Sequence, residues 1–195
     1  MKHYFIVFFV VALLTHKSLS TDETYYWKDY DGTIPDDALE GGYDIHSNSI
    51  FIGKVQVGED HIVVPIYPNI SDVLTFSDGK VEKINSGIKI LCGSEQPVDW
   101  IRASAENFHV VLIGKNPVQG GELKNKGHLH VGRIFYENEI KIGPILSYDL
   151  DKACLHFVHK HLVLSTDKYE VLVYDSPRER PRRPWNRRGP GRRFH

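Results

Sequence analysis

The chain has 195 residues, with 24 basic and 25 acidic side chains and only two cysteines. Two cysteines exclude a disulfide-dense mini-fold, and a chain of this length can bury a core without such staples. The near-zero net charge hides an uneven distribution: residues 176–195 hold eight Arg and one Glu and the first twenty residues two Lys, which leaves residues 21–175 with 14 basic and 24 acidic residues, a net of −10.

Taken in chain order, the apolar run from Tyr4 to Leu14 follows Met1-Lys2-His3 and precedes the small residues Ser18 and Ser20. That pattern predicts a removed secretory signal over residues 1–20, because the run is short of the roughly 20 apolar residues that a membrane span needs. An exported, extracellular body is expected to follow. Alternation then predicts a strand from Ile50, with Phe51, Gly53, Val55 and Val57 on one face, and further strands at His61–Ile66, Val73–Phe76 and Ile88–Cys92. Leu129–Tyr136, Leu155–Val158 and Tyr169–Tyr174 read the same way. Ser77-Asp78-Gly79, Asn85-Ser86-Gly87 and Lys126-Gly127 are turn signals between them. No stretch keeps helical spacing beyond a turn or two. The fold class is therefore all-β, and the short linkers predict antiparallel meanders.

The body is also written twice. An offset of 79 pairs Gly41-Gly42 with Gly120-Gly121, Ile52 with Val131, Gly53 with Gly132, Lys54 with Arg133 and Pro65 with Pro144. An offset of 81 then pairs Leu74 with Leu155 and Phe76 with Phe157. Such a match is a duplication, with units at 21–93 and 94–175 and a basic tail at 176–195. Gly53 and Gly132 inside strands predict a bulge or a close backbone approach, and the tandem glycines predict a conformation with positive φ.

Tyr26-Trp27, then Gly32-Thr33-Ile34-Pro35, Glu40-Gly41-Gly42 and Ile50-Phe51-Ile52-Gly53-Lys54, resemble the DM9 repeat. The second copy matches through Trp100-Ile101, Gln119-Gly120-Gly121, Val131-Gly132-Arg133, Cys154-Leu155 and Tyr169-Glu170-Val171-Leu172. The resemblance implies two tandem repeats in one compact antiparallel β-sheet domain with pseudo-two-fold internal symmetry. It also implies a non-enzymatic, mannose-type lectin of invertebrate innate immunity, related to the first module of natterin-like proteins. The family's sugar-binding acid falls on Asp44, with Glu122 close to the matching place in the second copy. The family's partner lysine is replaced by Pro65 and Pro144, so Lys54 and Arg133 are the cations left to complete a site.

A carboxylate can accept hydrogen bonds from neighbouring sugar hydroxyls, although an Asp beside a turn is as readily a turn residue. Lys54 and Arg133 read alternatively as solvated strand positions. His128-x-His130 and His159-x-His161 would each put two imidazoles on one face of a strand, but zinc needs three or four ligands and nothing completes either set. No metal, cofactor or catalytic constellation is expected. Asn69-Ile70-Ser71 is a glycosylation sequon. Cys92 and Cys154 form one bridge or remain two small buried residues. The tail, with Arg178, Arg180, Arg182, Arg183, Arg187, Arg188, Arg192 and Arg193 among prolines, is too polar to pack and is expected to be disordered and to pair with phosphate or sulfate. The expected partners are glycans or microbial surface polymers through the body, anionic membranes or polymers through the tail, and a second copy in a homodimer. An alternative makes the tail a cationic antimicrobial effector and the body its carrier.

Overall fold

The computed structural model describes residues 25–93, 98–148 and 152–174. The expected signal, the arginine tail and residue 94 at the start of the second unit lie outside these residues. The first half contains strands β1 (Tyr25–Asp29), β2 (Glu40–Tyr43), β3 (Ser49–Val57), β4 (Asp60–Ile66), β5 (Val73–Ser77), β6 (Lys80–Ile84) and β7 (Ile88–Gly93). The second contains β8 (Val98–Ser104), a single helical turn α1 (Phe108–Val111), β9 (Asn116–Pro117), β10 (Gln119–Leu123), β11 (Gly127–Tyr136), β12 (Glu139–Ile145), β13 (Leu155–His159), β14 (Leu162–Thr166) and β15 (Lys168–Tyr174). The fold is all-β, with a 13-stranded sheet and a separate two-stranded sheet of β5 and β6.

Every strand pairing is antiparallel, but the expected meander does not hold throughout. The order along the large sheet is β1-β7-β3-β4-β10-β11-β12-β13-β14, so β7 returns to lie between β1 and β3. In the second half β15 pairs with both β8 and β11. Loop length alone does not reveal such returns, because the β5–β6 hairpin carries the chain away before β7 comes back. Three hairpins turn on two residues that both have positive φ: Asp78-Gly79, Glu137-Asn138 and Lys160-His161. This is the turn whose twist matches that of paired strands. His161 therefore sits in a turn at φ 63° rather than on a strand with His159, which corrects the reading of that pair.

Ile50, Ile52, Val63 and Leu91 of the first half pack with Val118, Val131, Ile142 and Leu172 of the second in one cluster. Burying each such side chain contributes about 1.5–3 kcal/mol. A second cluster around Phe108, Leu155 and Tyr169 lies in the second half, and a third around Val55, Ile66 and Ile90 lies in the first. The central cluster makes the halves one packed body.

The tandem glycines sit where the halves meet. Each lies beside a register shift, between Glu40 and Gly42 on β2 and between Gln119 and Gly121 on β10. A Cβ on Gly41 would overlap the Ile142 side chain, and one on Gly42 would overlap Ile140. Conversely, a Cβ on Gly120 would overlap Val63, and one on Gly121 would meet the carbonyl oxygen of His61. The offset of 79 relates both pairs of contacts. Close approach of the opposite half is thus what requires these glycines. Positive φ does not, because Gly41, Gly120 and Gly121 lack it and Gly42, at 159°, is nearly extended. Gly53 and Gly132 likewise leave room for side chains: an added Cβ would come within 2.6 Å of Ile66 and of Ile145, respectively.

Candidate functional site

β8, β15 and β11 lie side by side, with Glu170 opposite Arg102 on one neighbour and opposite Arg133 on the other. Because side chains alternate along a strand, Trp100 and Arg102, Lys168 and Glu170, and Arg133 and Phe135 share one face. The Arg133 guanidinium stacks on Trp100, with Cζ 4.1 Å from the ring centroid. Its Nε donates to Glu170 Oε2 at 2.8 Å and its Nη1 to the carbonyl oxygen of Gly41, also at 2.8 Å. Arg133 therefore ties the second half to the glycine strand of the first.

Around this fixed ion pair runs a groove of about 680 Å³, whose lining includes Tyr43, Arg102, Phe135, Ile140, Lys168 and Glu170. Tyr43 is 49% and Phe135 57% exposed, both high for aromatic side chains. Tyr43 follows Gly42, so the close packing of the glycine strand on Ile140 is what sets its ring at the groove. A concave surface with aromatic walls and a few fixed polar groups is the usual build of a ligand site.

The matching face of the first half has a different character. There Lys54 lies over Trp27, with Nζ 4.4 Å from the ring centroid, and Lys89 bonds Asp29 at 2.6 Å. Burial, with help from the Lys89 charge, pulls the Lys54 pKa down. The central position is thus Lys89 in one half and Glu170 in the other, a reversal of sign. By the offset of 79, Phe135 corresponds to Gln56 and Tyr43 to Glu122, so the first face lacks both aromatic walls.

The Asp44 carboxylate is engaged within its own loop. Its Oδ1 accepts from the backbone N–H groups of His46 and Asn48, both at 2.8 Å, and its Oδ2 from the Asn48 side-chain amide at 2.9 Å. These bonds, with the Asn48 side chain the largest influence, hold the Asp44 pKa below its ordinary value. Asp44 thus closes the loop that carries Tyr43. Glu122 is exposed on β10, with its backbone opposite His128 and His61. Of the four expected ligand residues, only Arg133 belongs to the groove. Tyr43, Arg102, Phe135 and Lys168 carry no motif, and only the strand register reveals them.

Asn69 is exposed at φ 63° in a turn closed by the Ile70 N–H donating to the Tyr67 carbonyl oxygen, so its side chain is open to modification. Of the two alternatives for the cysteines, the structure has the unbridged one: both are free. Cys92 is buried in the first half's own cluster, while Cys154 flanks Ala153 and Leu155 of the second half's cluster. His130 is largely buried beside Phe108, and its Nδ1 has no hydrogen-bond partner. Among the described residues no three His, Cys, Asp or Glu side chains are placed to hold a metal ion, and no helix is long and apolar enough to cross a membrane.

The sequence matches no family model and no curated protein. In structure the chain is similar to the nematode sperm cell motility protein MFP2B, with a TM-score of 0.53 and 11% sequence identity over 78% of this chain and 46% of that one. The chain thus spans less than half the length of MFP2B, and at this identity the likeness is one of fold.

Proposed function

We propose that the chain is an exported, non-enzymatic recognition protein of two DM9 repeats that binds carbohydrate chains on microbial surfaces, in the groove between Tyr43 and Phe135. The observation that carries this reading is the pairing of two exposed aromatic rings with a hydrogen-bonding floor of Arg102 and Glu170. A sugar presents apolar C–H faces and rings of hydroxyls. The aromatic walls suit the first, and the charged floor suits the second through charge-assisted hydrogen bonds. The DM9 reading is supported by the reciprocal packing of the two glycine strands, each against the same positions of the opposite half.

The site differs from the one that the family pattern implies. It draws Tyr43 from one repeat and the remaining groups from the other, and it leaves Asp44 to shape the loop. With this groove on each chain, a homodimer would gain by avidity, and the arginine tail would add attraction to anionic polymers. A glycan array probed with the full chain tests the reading. Retention on microbial polysaccharides, abolished by replacing Tyr43 and Phe135 with Ala, is expected; retention that both replacements leave intact would place recognition elsewhere.

A further inference from the structure

The charges in the groove do not cancel. Glu170 is taken up by Arg133, whose remaining Nη1 contact is to the Gly41 carbonyl oxygen. Arg102 and Lys168 are both exposed and line the same groove. With the Arg133–Glu170 pair neutral as a unit, these two cations leave the groove with an uncompensated charge of about +2. The body around it is net acidic, so this positive surface runs against the bulk composition. The first half offers a comparison within the same molecule: where the second half has Arg102 opposite Glu170, the first has Asp29 opposite Lys89, bonded to each other, and Gly87 stands, by the offset of 81, where the second half has Lys168.

We infer that the preferred ligand of this groove is an acidic saccharide, one that carries a carboxylate or sulfate, with Arg102 and Lys168 binding the anionic group and Tyr43 and Phe135 holding the sugar ring. The inference rests on the proposed carbohydrate reading and narrows it. Arg102 offers a planar fork that matches a carboxylate or sulfate at two points, while Lys168 acts as a mobile point charge. Both groups are solvent-facing, so the attraction is screened by salt and the affinity falls as ionic strength rises.

The test is calorimetric titration of the full chain with a short galacturonate oligosaccharide, a short sulfated oligosaccharide and a neutral mannose oligosaccharide, with a short polyglutamate as a charged non-sugar. At least one acidic oligosaccharide is expected to bind, tenfold or more tightly than the neutral one, and its chemistry distinguishes carboxylate from sulfate. Replacing both Arg102 and Lys168 with Ala should cost on the order of tenfold per group while leaving the melting temperature unchanged. Acidic sugars that bind the double variant as they bind the parent chain are held by the arginine tail, and the inference fails. Equal binding of polyglutamate also overturns it, because charge alone then suffices. If the mannose oligosaccharide binds as tightly as the acidic ones, in a Tyr43-dependent manner, the inference falls and the carbohydrate reading stands. If no saccharide binds, both fall.

Discussion

Arg133 and Gly41 lie 92 residues apart in sequence, yet the guanidinium of one donates to the carbonyl oxygen of the other at 2.8 Å while stacking on Trp100. A lysine cannot hold Glu170, that carbonyl and the indole face at once. Replacing Arg133 with Lys is therefore expected to cost about 1.5–3 kcal/mol of stability, the range for a hydrogen bond that involves a charged group. Urea unfolding measures this. An unchanged midpoint would show that the bridge between the halves contributes nothing.

The glycine contacts predict an order of tolerance. A Cβ on Gly121 meets the backbone oxygen of His61, which cannot move without distorting β4, whereas one on Gly41 meets the far end of the Ile142 side chain, which can rotate. Gly121→Ala should thus be the more damaging, at the upper end of the roughly 1–3 kcal/mol typical of overpacking, and Gly41→Ala the milder. Thermal melts of the two variants should rank in that order; the reverse ranking would contradict the interlock of β10 against β4.

Acid should weaken the fold through its histidines. Burial holds His130 below its ordinary value of 6.5, with His128 and His109 pushing the same way against a backbone hydrogen bond to Val118. Burial does the same to His156. Each ring stays neutral in the fold and takes a proton more readily once unfolded. The stability they contribute is full above about pH 6.5 and is lost as pH falls through that value toward the folded pKa. The lowered carboxyls of Asp44 and Glu137 act in a more acidic range. The melting temperature should drop between about pH 7.5 and pH 5.5, and His130→Gln should flatten that slope. A slope unaltered by the substitution would remove His130 as its source.

The free thiols are directly countable. Burial, followed by the nearby Asp37 carboxylate, pushes the Cys92 thiol up to about 11. A thiol reagent should label both cysteines in denaturant and leave Cys92 unlabelled in the native chain at neutral pH. Absence of labelling in denaturant without reductant would mean that a bridge exists.

The strands that the amino-acid pattern revealed are those with strong alternation or glycine-marked ends, such as β3, β4 and β7. The strands it missed have physical reasons. β12 and β14 follow the turns Glu137-Asn138 and Lys160-His161, which adopt positive φ without a glycine to signal it. β1 and β8 are half-exposed edge segments, and β2 and β10 are short strands whose glycines carry no apolar period. The tandem glycines were legible as special but not for the right cause, because the side chains they accommodate lie 101 and 57 positions away, at Ile142 and Val63. The site was the least legible part. Arg133 stood out because it pairs with Lys54 at the offset of 79, but Arg102, Lys168 and Tyr43 come together only through the β8–β15–β11 register and the packing of β2 on Ile140. Asp44, the residue that the motif favours, turns out to be occupied by its own loop.

Ligand recognition is proposed for the face built from β8, β15 and β11. Mapping backbone amide shifts of the full chain on addition of an acidic oligosaccharide tests it most directly. The perturbed amides are expected to cluster at Tyr43, Arg102, Phe135 and Lys168. Shifts confined to the Asp44–Asn48 loop, to the Trp27–Lys54 face or to the arginine tail would contradict it.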